Sequence, residues 1–429
     1  MSQNRSAAAN ARIMQGDCTQ VLRSLARNGL LVDSVVTDPP YHLASIVARL
    51  GSIDAAPIQS GATGVYARGS AGFMGQEWDG GDIAFRVDTW RRVFDVMKPG
   101  AHLIAFAATK GYHRMVCAIE DAGFEIRDMV PWLYGTGFPK SHNQDGEWEG
   151  WGTGLKPAIE PVVLAQKPIS ERSIEANLAR WGVGALHIDA CRVHSDDAQG
   201  GSYTVKRFAP GADVNRTGAW KQDQSFTGSM KPGRWPANLC HDGSDEVLAA
   251  FEAYGERGAL APVHTRNADK FRSVYHGSFA GNVDEEGSTF RGDSGSAARF
   301  FYSSKATQGE RIFECRECGA HQIGKPDCGH TDFRTHPTVK PISLIRWYVE
   351  MVTPPGGLVL DPFAGTGTTA AAARDAGFKS LMIEADGNHA RDIAVRLGLP
   401  LEELIVSEVQ ARPVNNGAQA DLFAPGRSA

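Results

Sequence analysis

Two short segments of this sequence combine residue types that could do chemistry. The first is Asp38-Pro39-Pro40-Tyr41, and the second is Asp361-Pro362-Phe363-Ala364-Gly365-Thr366-Gly367-Thr368-Thr369. Each follows a short apolar run, so each is predicted to be a loop at the carboxyl end of a buried parallel strand. Open α/β sheets bind ligands at that edge. We therefore expect the two loops to meet there, although more than 300 residues separate them in the chain.

The first loop has groups suited to activating the exocyclic amine of adenine or cytosine. Such an amine is a weak nucleophile because its lone pair is delocalised into the ring. The Asp38 carboxylate can accept one amine hydrogen and the Pro39 carbonyl the other, which directs the lone pair towards a methyl group. Tyr41 offers a face on which an extruded base can stack. The alternative is a proline-rich turn that Asp38 merely caps.

The second loop is typical of a site for a nucleoside without phosphates. Gly365 and Gly367 let the backbone approach a ligand closely, and a helix is predicted to begin just after them. The loop lacks the lysine of a phosphate-binding loop and the G-x-G-x-x-G pattern of a dinucleotide site. Glu384 ends the next predicted strand, where a carboxylate can accept hydrogen bonds from ribose hydroxyls. S-adenosylmethionine fits this pattern; the alternatives are a helix-capping turn and a solvated acid.

The composition favours a globular protein of the cytoplasm. The chain has 429 residues, with 42% hydrophobic and 22% charged residues, enough for a large core. No apolar run reaches the length of a membrane span, and the first residues lack a secretory signal. Seven cysteines, three of them close together, fit reduced thiols with one metal site. The net charge of −5 argues against a general polyanion binder, so any nucleic-acid contact needs a local basic surface.

The elements that must position the two loops alternate between strand and helix. This alternation predicts an α/β fold with parallel strands and right-handed crossovers. Strands are predicted at residues 13–14, 34–37, 102–107, 127–133, 160–166, 358–360 and 380–383, and helices at 19–26, 83–97, 112–122, 341–351, 368–375 and 388–397.

The chain is predicted to consist of five parts. Residues 1–169 and 336–411 form the two halves of one sheet, and residues 170–310 form an insertion between them. Residues 311–335 form a small metal-binding knuckle, and residues 412–429 form a flexible tail. Residues 50–80 are predicted to be a mobile loop that could close over a site.

The motif set resembles the amino-group DNA methyltransferases. The order of the motifs, with Asp-Pro-Pro-Tyr first and the glycine loop last, resembles their β permutation, over roughly residues 12–166 and 336–400. The resemblance implies a Rossmann-like fold that binds S-adenosylmethionine. It also implies a mostly parallel seven-stranded sheet with one antiparallel strand, whose closing hairpin residues 127–133 and 160–166 would supply.

The resemblance also implies roles for individual residues. Asp38, Pro39, Pro40 and Tyr41 would hold the target base, and Glu384 would hold the ribose. Asp17 would face the cofactor adenine, and Thr338, Lys340 and Asp361 would lie near the methionine end. The full cofactor-binding set is Asp17, Cys18, Thr338, Lys340, Asp361, Pro362, Phe363, Ala364, Gly365, Thr366, Gly367, Thr368 and Glu384.

The Asp-Pro-Pro-Tyr form favours the N6 amine of adenine in DNA as the acceptor. N4 of cytosine is the alternative. A catalytically silent DNA-binding subunit of a restriction-modification system is a third. The resemblance places the protein in the cytoplasm of a bacterium or among phage-encoded enzymes.

The insertion is predicted, by analogy, to contact double-stranded DNA. Basic residues interleaved with tryptophan suit phosphate contact and base-edge recognition; the alternative is an ordinary solvated surface. They are Lys206, Arg207, Arg216, Trp220, Lys221, Lys231, Arg234 and Trp235.

Four residues after the insertion have the types and spacing of tetrahedral zinc ligands, namely Cys315, Cys318, Cys328 and His330. His321 or His336 could instead be the fourth ligand, and free thiols in a loop are the alternative. The remaining cysteines are predicted to be small buried apolar residues.

The tail contains Gln419-Ala420-Asp421-Leu422-Phe423 in a segment that is otherwise poor in apolar residues. This pentamer resembles the peptides that bind bacterial sliding clamps. The alternative is an apolar anchor that packs back on the protein.

Overall fold

The computed structural model describes residues 10–41, 82–135, 137, 141–194, 201–207, 224–253, 295–304, 308–335 and 339–406, with the backbone alone at 201–207 and 224–230. The chain forms two compact units. The first contains Met1–Cys191, Asn238–Ser244 and Ser303–Ala429, and the second contains Arg192–Ala237 and Asp245–Tyr302.

The strands, in chain order, are β1 (Ala11–Gln15), β2 (Val32–Thr37), β3 (Met97–Phe106), β4 (Glu125–Met129), β5 (Trp132–Leu133), β6 (Ile159–Glu160), β7 (Val162–Gln166), β8 (Gly201–Arg207), β9 (Gln224–Met230), β10 (Cys240–His241), β11 (Tyr302–Ser303), β12 (Ile312–Cys315), β13 (His321–Ile323), β14 (Phe333–Thr335), β15 (Leu358–Asp361) and β16 (Lys379–Glu384). The helices are α1 (Cys18–Arg27), α2 (Val87–Asp95), α3 (Tyr112–Asp121), α4 (Ile174–Trp181), α5 (Asp245–Glu252), α6 (Ile342–Val352), α7 (Thr368–Asp375), α8 (Gly387–Leu397) and α9 (Leu401–Leu404).

The central sheet of the first unit has seven strands in the order β1-β16-β15-β2-β3-β7-β4. All neighbours are parallel except β7, which runs antiparallel to both β3 and β4. This arrangement confirms the predicted mostly parallel sheet with one antiparallel strand. The sheet interleaves the two chain ends, because β15 pairs with β2 through Leu360 and Val35.

The closing pair of the sheet is shorter than predicted. Strand β7 pairs with β4, whereas β5 and β6, predicted as parts of longer strands, pair with each other in a separate small sheet that also contains β10. Strand β3 is longer than predicted, since it begins at Met97, the last residue of a predicted helix, and takes in Lys98-Pro99-Gly100.

Helices cover both faces of the sheet, which is why its parallel strands are almost continuously apolar. On one face, Leu22 of α1, Trp90 of α2 and Ile119 of α3 join the main core. Successive residues of β16 point to opposite faces, so Leu381 belongs to this core and Met382 to a second cluster with Ile393 of α8.

The second unit begins later than the predicted insertion. Helix α4, which was assigned to the insertion, belongs to the first unit, where Asn177 donates to the carbonyls of Pro99 and Val183 at 2.9 and 2.7 Å. The second unit itself contains the β8–β9 antiparallel hairpin, helix α5 and a short 3-10 helix at Ala297–Phe300.

Strands β12, β13 and β14 form a small antiparallel sheet in the first unit, with β12 in the centre. This sheet corresponds to the predicted knuckle at residues 311–335. No helix within the described ranges combines the length and apolar character needed to cross a membrane.

Candidate active site

The two motif loops meet at the carboxyl edge of the sheet. Thr37, at the end of β2, donates a hydrogen bond of 2.6 Å from its hydroxyl to Oδ1 of Asp361, at the end of β15. The two strands are hydrogen-bonded neighbours. The parallel register therefore places Asp38-Pro39-Pro40-Tyr41 directly beside the glycine loop.

Asp361 organises the glycine loop from within. Its Oδ1 also accepts the backbone N–H of Phe363 at 3.1 Å, and its Oδ2 accepts the hydroxyl of Thr369 at 2.7 Å. Burial raises the pKa of Asp361 to about 6; these donors oppose the rise, and the charge of Asp38 adds to it. These three hydrogen bonds hold the glycine loop in place.

The two loop glycines differ in their surroundings. Gly367 has φ +78° and lies against α8, so that an added Cβ would come within 2.9 Å of Ile393. Gly365 has φ +50°, and no described atom lies within 4 Å of where its Cβ would be. The loop is therefore packed on one side at Gly367 and open at Gly365, as a ligand cradle requires.

Glu384 contacts the glycine loop directly. Its Oε2 accepts the Gly365 N–H at 2.7 Å, and its Oε1 accepts the Asp386 N–H at 2.9 Å. His389 lies 3.7 Å from Oε1; burial opposes its charge, but Glu384 outweighs burial and raises the pKa of His389. Each carboxylate oxygen has further lone pairs, so Glu384 can still accept hydrogen bonds from ribose hydroxyls.

The Gly16-Asp17-Cys18 segment lies at the same edge. The Gly16 N–H donates to the Glu384 carbonyl at 2.9 Å. Asp17 caps α1, accepting the Thr19 hydroxyl and the Gln20 N–H at 2.5 and 3.0 Å, and the Thr19 hydrogen bond lowers its pKa. Burial, then the charge of Asp17, raises the pKa of Cys18 to about 12, so this residue stays a thiol.

Lys340 lies at the centre of a polar cluster with two residues of the first loop and Glu160. Its Nζ donates to Asp38 Oδ2 at 2.7 Å and to the Tyr41 hydroxyl at 3.0 Å, and it lies 3.1 Å from Glu160 Oε2. Tyr41 in turn donates to Glu160 Oε2 at 3.2 Å. Burial disfavours the ammonium, but Asp38 and Glu160 outweigh burial and raise the pKa of Lys340. The lysine is therefore a permanent cation.

One acceptor in this cluster is left over. Oδ1 of Asp38 is buried and has no hydrogen-bond partner in the described part of the chain. A buried carboxylate oxygen without a donor is unfavourable by about 1–3 kcal/mol, so such atoms are uncommon unless a ligand completes them. Pro39 beside it is buried as well. The arrangement can accept an N–H from a bound base.

Glu160 is the residue that the sequence analysis missed. It ends β6 and lies two residues before Val162, which begins the antiparallel strand β7 and pairs with Phe106 at the end of β3. The start of an antiparallel strand lies at the same edge as the carboxyl ends of its parallel neighbours. An acidic residue just before the one antiparallel strand was therefore the signal that could have found it.

Other predicted residues lie elsewhere or outside the described residues. Lys340, expected near the methionine end of the cofactor, contacts Asp38. Thr338 and His336 lie outside the described residues, as do residues 50–80, the 419–423 pentamer, Arg216, Trp220 and Lys221. Lys206 and Arg207 are described only as backbone of β8.

Three predicted DNA-contact residues are described within the second unit. Arg234 donates to the Arg299 carbonyl at 3.2 Å and lies over the ring of Phe300. Trp235 is 65% exposed, and Lys231 is exposed too. Arg234 thus has a structural partner, whereas Trp235 presents its ring to solvent.

The four predicted metal ligands come together. The ligand atoms of Cys315, Cys318, Cys328 and His330 all lie within 4.8 Å of one another. His321, one of the two alternative ligands, instead forms a hydrogen bond of 2.6 Å with Asp392.

Comparison with known proteins identifies the family. The sequence model of the N6/N4 DNA methylase family matches residues 32–396. The chain is 30% identical over 125 residues to the type II methyltransferase M.HindIII of Haemophilus influenzae, a match that covers 26% of this chain and 38% of that enzyme. The chain therefore spans well under half the length of this relative.

Solved structures of similar proteins include M1.HpyAVI, with 12% identity and a TM-score of 0.39 over 91% of this chain and 99% of the other. They also include the cytosine-N4-specific PvuII DNA methyltransferase, with 13% identity and a TM-score of 0.39 over 91% and 89%. Because the family model matches most of the sequence, the chain belongs to the N6/N4 family of DNA methylases.

Proposed function

We propose that this protein transfers a methyl group from S-adenosylmethionine to the N6 amine of an adenine flipped out of double-stranded DNA. Membership of the DNA methylase family supports methyl transfer to a base amine. The observation that carries the proposal is the buried Oδ1 of Asp38, for which the described residues offer no hydrogen-bond donor. Asp38 is also close to the open glycine loop, because the preceding residue, Thr37, donates a hydrogen bond to Asp361 in that loop.

The residues around the base site hold and orient it. Asp38 Oδ1 accepts one hydrogen of the amine, while Lys340 fixes the other carboxylate oxygen. Burial, then the charges of Asp38 and Glu160, raises the pKa of Tyr41 well above 10. The phenol thus stays neutral and keeps donating to Glu160, so its ring is held in one orientation for stacking.

The glycine-loop side fits the cofactor. Bound S-adenosylmethionine would supply an electrophilic methyl group on its sulfonium. Glu384 would accept the ribose hydroxyls, Gly365 would leave room for the ligand, and Asp17 would face the adenine. The residues proposed to complete the pocket are Cys18, Thr338, Pro362, Phe363, Ala364, Thr366, Gly367 and Thr368. No strong base is needed, because the rate gain would come from orientation and exclusion of water.

The experiment is mass spectrometry of nucleosides from the DNA of a bacterial host without methyltransferases of its own. We expect N6-methyladenine with the wild-type chain. We expect none with Asp38→Ala, although that variant should still bind S-adenosylmethionine in calorimetry. Asp121→Ala, at an exposed position at the end of α3, is the matched control. N4-methylcytosine would overturn the choice of base, and no methylated base would overturn the function.

We further propose that the second unit contacts DNA and that the protein acts in the cytoplasm. The exposed ring of Trp235, with the Arg192 guanidinium 5.5 Å away, supports the DNA contact, since such pairs stack on bases and approach phosphates. Trp235→Ala should weaken binding to duplex DNA; unchanged affinity would contradict this role.

The 419–423 pentamer is proposed to dock on a sliding clamp. Its support is the sequence resemblance alone. Deleting residues 413–429 should abolish co-elution with the clamp on gel filtration, and co-elution of the truncated chain would refute the proposal.

A further inference from the structure

The cysteine-histidine cluster has the dimensions of a closed tetrahedral metal site. The Cys315 sulfur lies 3.4 Å from His330 Nδ1, and all four ligand atoms lie within 4.8 Å of one another. A tetrahedral zinc with Zn–S near 2.3 Å and Zn–N near 2.0 Å places its ligand atoms roughly 3.5–3.8 Å apart. Only small side-chain adjustments separate the cluster from that geometry.

The backbone around the cluster is shaped for such a site. Gly319 follows Cys318 at φ +74°, and Gly329 follows Cys328 at φ +72°, so each ligand turn closes through a left-handed glycine. The Gly319 N–H donates to the Cys315 carbonyl at 2.9 Å. Four protein ligands leave no open position, which is typical of a structural zinc rather than a catalytic one.

Hydrogen bonds between Arg334 and Asp392, called the Arg334–Asp392 clasp below, join the small sheet that carries the cluster to helix α8. Asp392 of α8 is 1% exposed and accepts two hydrogen bonds from the Arg334 guanidinium, at 2.9 and 2.7 Å. It also lies 2.6 Å from His321 Nε2. Arg334 additionally donates to Glu314, its cross-strand neighbour, at 2.6 Å. Strands β12, β13 and β14 all contribute to this clasp.

The same face of α8 supports the glycine loop. Residues three and four apart share a helix face. Arg396, one turn after Asp392, donates to the Thr366 carbonyl at 2.7 Å and to its hydroxyl at 3.3 Å. Ile393 packs against Gly367. His389, on the same face, lies 3.7 Å from Glu384. One face of α8 therefore contacts the small sheet, the glycine loop and Glu384.

We propose that Cys315, Cys318, Cys328 and His330 bind one structural zinc ion, and that the zinc-bound sheet holds α8, and through it the glycine loop, in the binding conformation. The Arg334–Asp392 clasp transmits the effect. The coupling rests on the proposed cofactor, whereas the metal site does not.

The metal site is tested by elemental analysis of the full chain, purified without a metal-affinity tag. We expect about one zinc per chain in the wild type and in Cys117→Ser, whose cysteine is exposed and outside the cluster. Cys318→Ser and Cys328→Ser should lose it. X-ray absorption of the wild-type protein gives an independent readout: three sulfurs near 2.3 Å and one nitrogen near 2.0 Å. A wild-type chain without zinc, or zinc bound without sulfur, would overturn the site.

The coupling is tested by calorimetric binding of S-adenosylmethionine to Arg334→Met. Arg316→Met is the matched control. Arg316 lies between two ligands in the sequence, but its side chain is 63% exposed and its ion pair with Asp332, at 3.6 Å, is longer than those of Arg334. Both variants retain all four ligands and should retain zinc. We expect Arg334→Met alone to weaken binding by roughly 2- to 30-fold, the range of couplings carried through packed networks.

Removing zinc from the wild-type chain with a chelator should weaken cofactor binding to a similar extent, and added zinc should restore it. Unchanged affinity in both the variant and the zinc-free protein would refute the coupling. A zinc-loaded wild-type chain that binds no S-adenosylmethionine would instead refute the proposed function and leave the metal site standing.

Discussion

Replacing Lys340 by methionine should destabilise the protein strongly, because it removes the only cation among the described residues that contacts both Asp38 and Glu160. The lysine side chain is 8% exposed, so methionine can fill its volume without exposing new surface. Its Nζ lies 2.7 Å from Asp38 Oδ2 and 3.1 Å from Glu160 Oε2. The substitution leaves these two carboxylates facing each other.

The magnitude follows from these distances. Two oxygens that share one ammonium at such distances lie no more than about 6 Å apart, and at an effective dielectric of 20 their repulsion is about 3 kcal/mol. Breaking a buried ion pair by removing one partner costs about 3–5 kcal/mol in other proteins. Because Asp38 and Glu160 are 31% and 21% exposed, we expect a loss near the lower limit, about 3 kcal/mol.

Urea unfolding at pH 7.5, followed by circular dichroism, measures this loss. The control is Lys110→Met, at an exposed position, which should change the free energy of unfolding by less than about 0.5 kcal/mol. Adding Glu160→Gln to Lys340→Met removes one of the two repelling charges and should restore about 2 kcal/mol. A Lys340→Met variant as stable as the control, or no recovery on adding Glu160→Gln, would refute the predicted repulsion between the two carboxylates.

Gly367→Ala should destabilise the protein by about 2 kcal/mol in urea unfolding, since φ is +78° and the new Cβ would meet Ile393 at 2.9 Å; a variant as stable as the wild type would contradict this close contact. Gly365→Ala, at φ +50° with open space beside it, should destabilise the protein less than Gly367→Ala does. It should nevertheless weaken S-adenosylmethionine binding at least as much, and unaffected binding would remove Gly365 from the cofactor site. Burial, then the charge of Arg127, lowers the pKa of His102 to about 4. Below pH 6.5 the unfolded chain therefore binds a proton at His102, whereas the folded chain does not bind it until the pH is much lower. Between pH 6.5 and pH 5 the free energy of unfolding of the wild-type protein should therefore fall by about 2 kcal/mol more than that of His102→Leu. Parallel pH profiles of urea unfolding for the two proteins would show that His102 does not titrate this way.

Much of the fold could be predicted because its signals are local. The helix at Thr368–Asp375 was predicted with its observed bounds, since a glycine turn precedes it and Gly377 follows it closely. Lys98-Pro99-Gly100 misled the prediction because proline usually ends an element. In the structure, Pro99 lies where the pairing of β3 with β2 shifts register, a position at which a strand tolerates proline.

The missing parts of the site depend on contacts between distant residues. Arg334 and Asp392 are 58 positions apart, and neither belongs to a recognisable motif. Lys340 reaches Asp38 across 302 positions, and its place could be found only once the order of strands around β2 was known. Sequence patterns specify which residues face the core but not which polar side chains meet at the edge of the sheet.

The interleaved order of the central sheet also affects how the protein is made. Strand β2 pairs with β15 on one side, yet the ribosome synthesises β15 more than 300 residues after β2. At about 5–20 residues per second, this interval is on the order of 20 to 60 s. During that time one apolar strand edge has no native neighbour and is open to chaperones or to aggregation. Because the glycine loop follows β15 in the chain, the two motif loops cannot meet until β15 has been made.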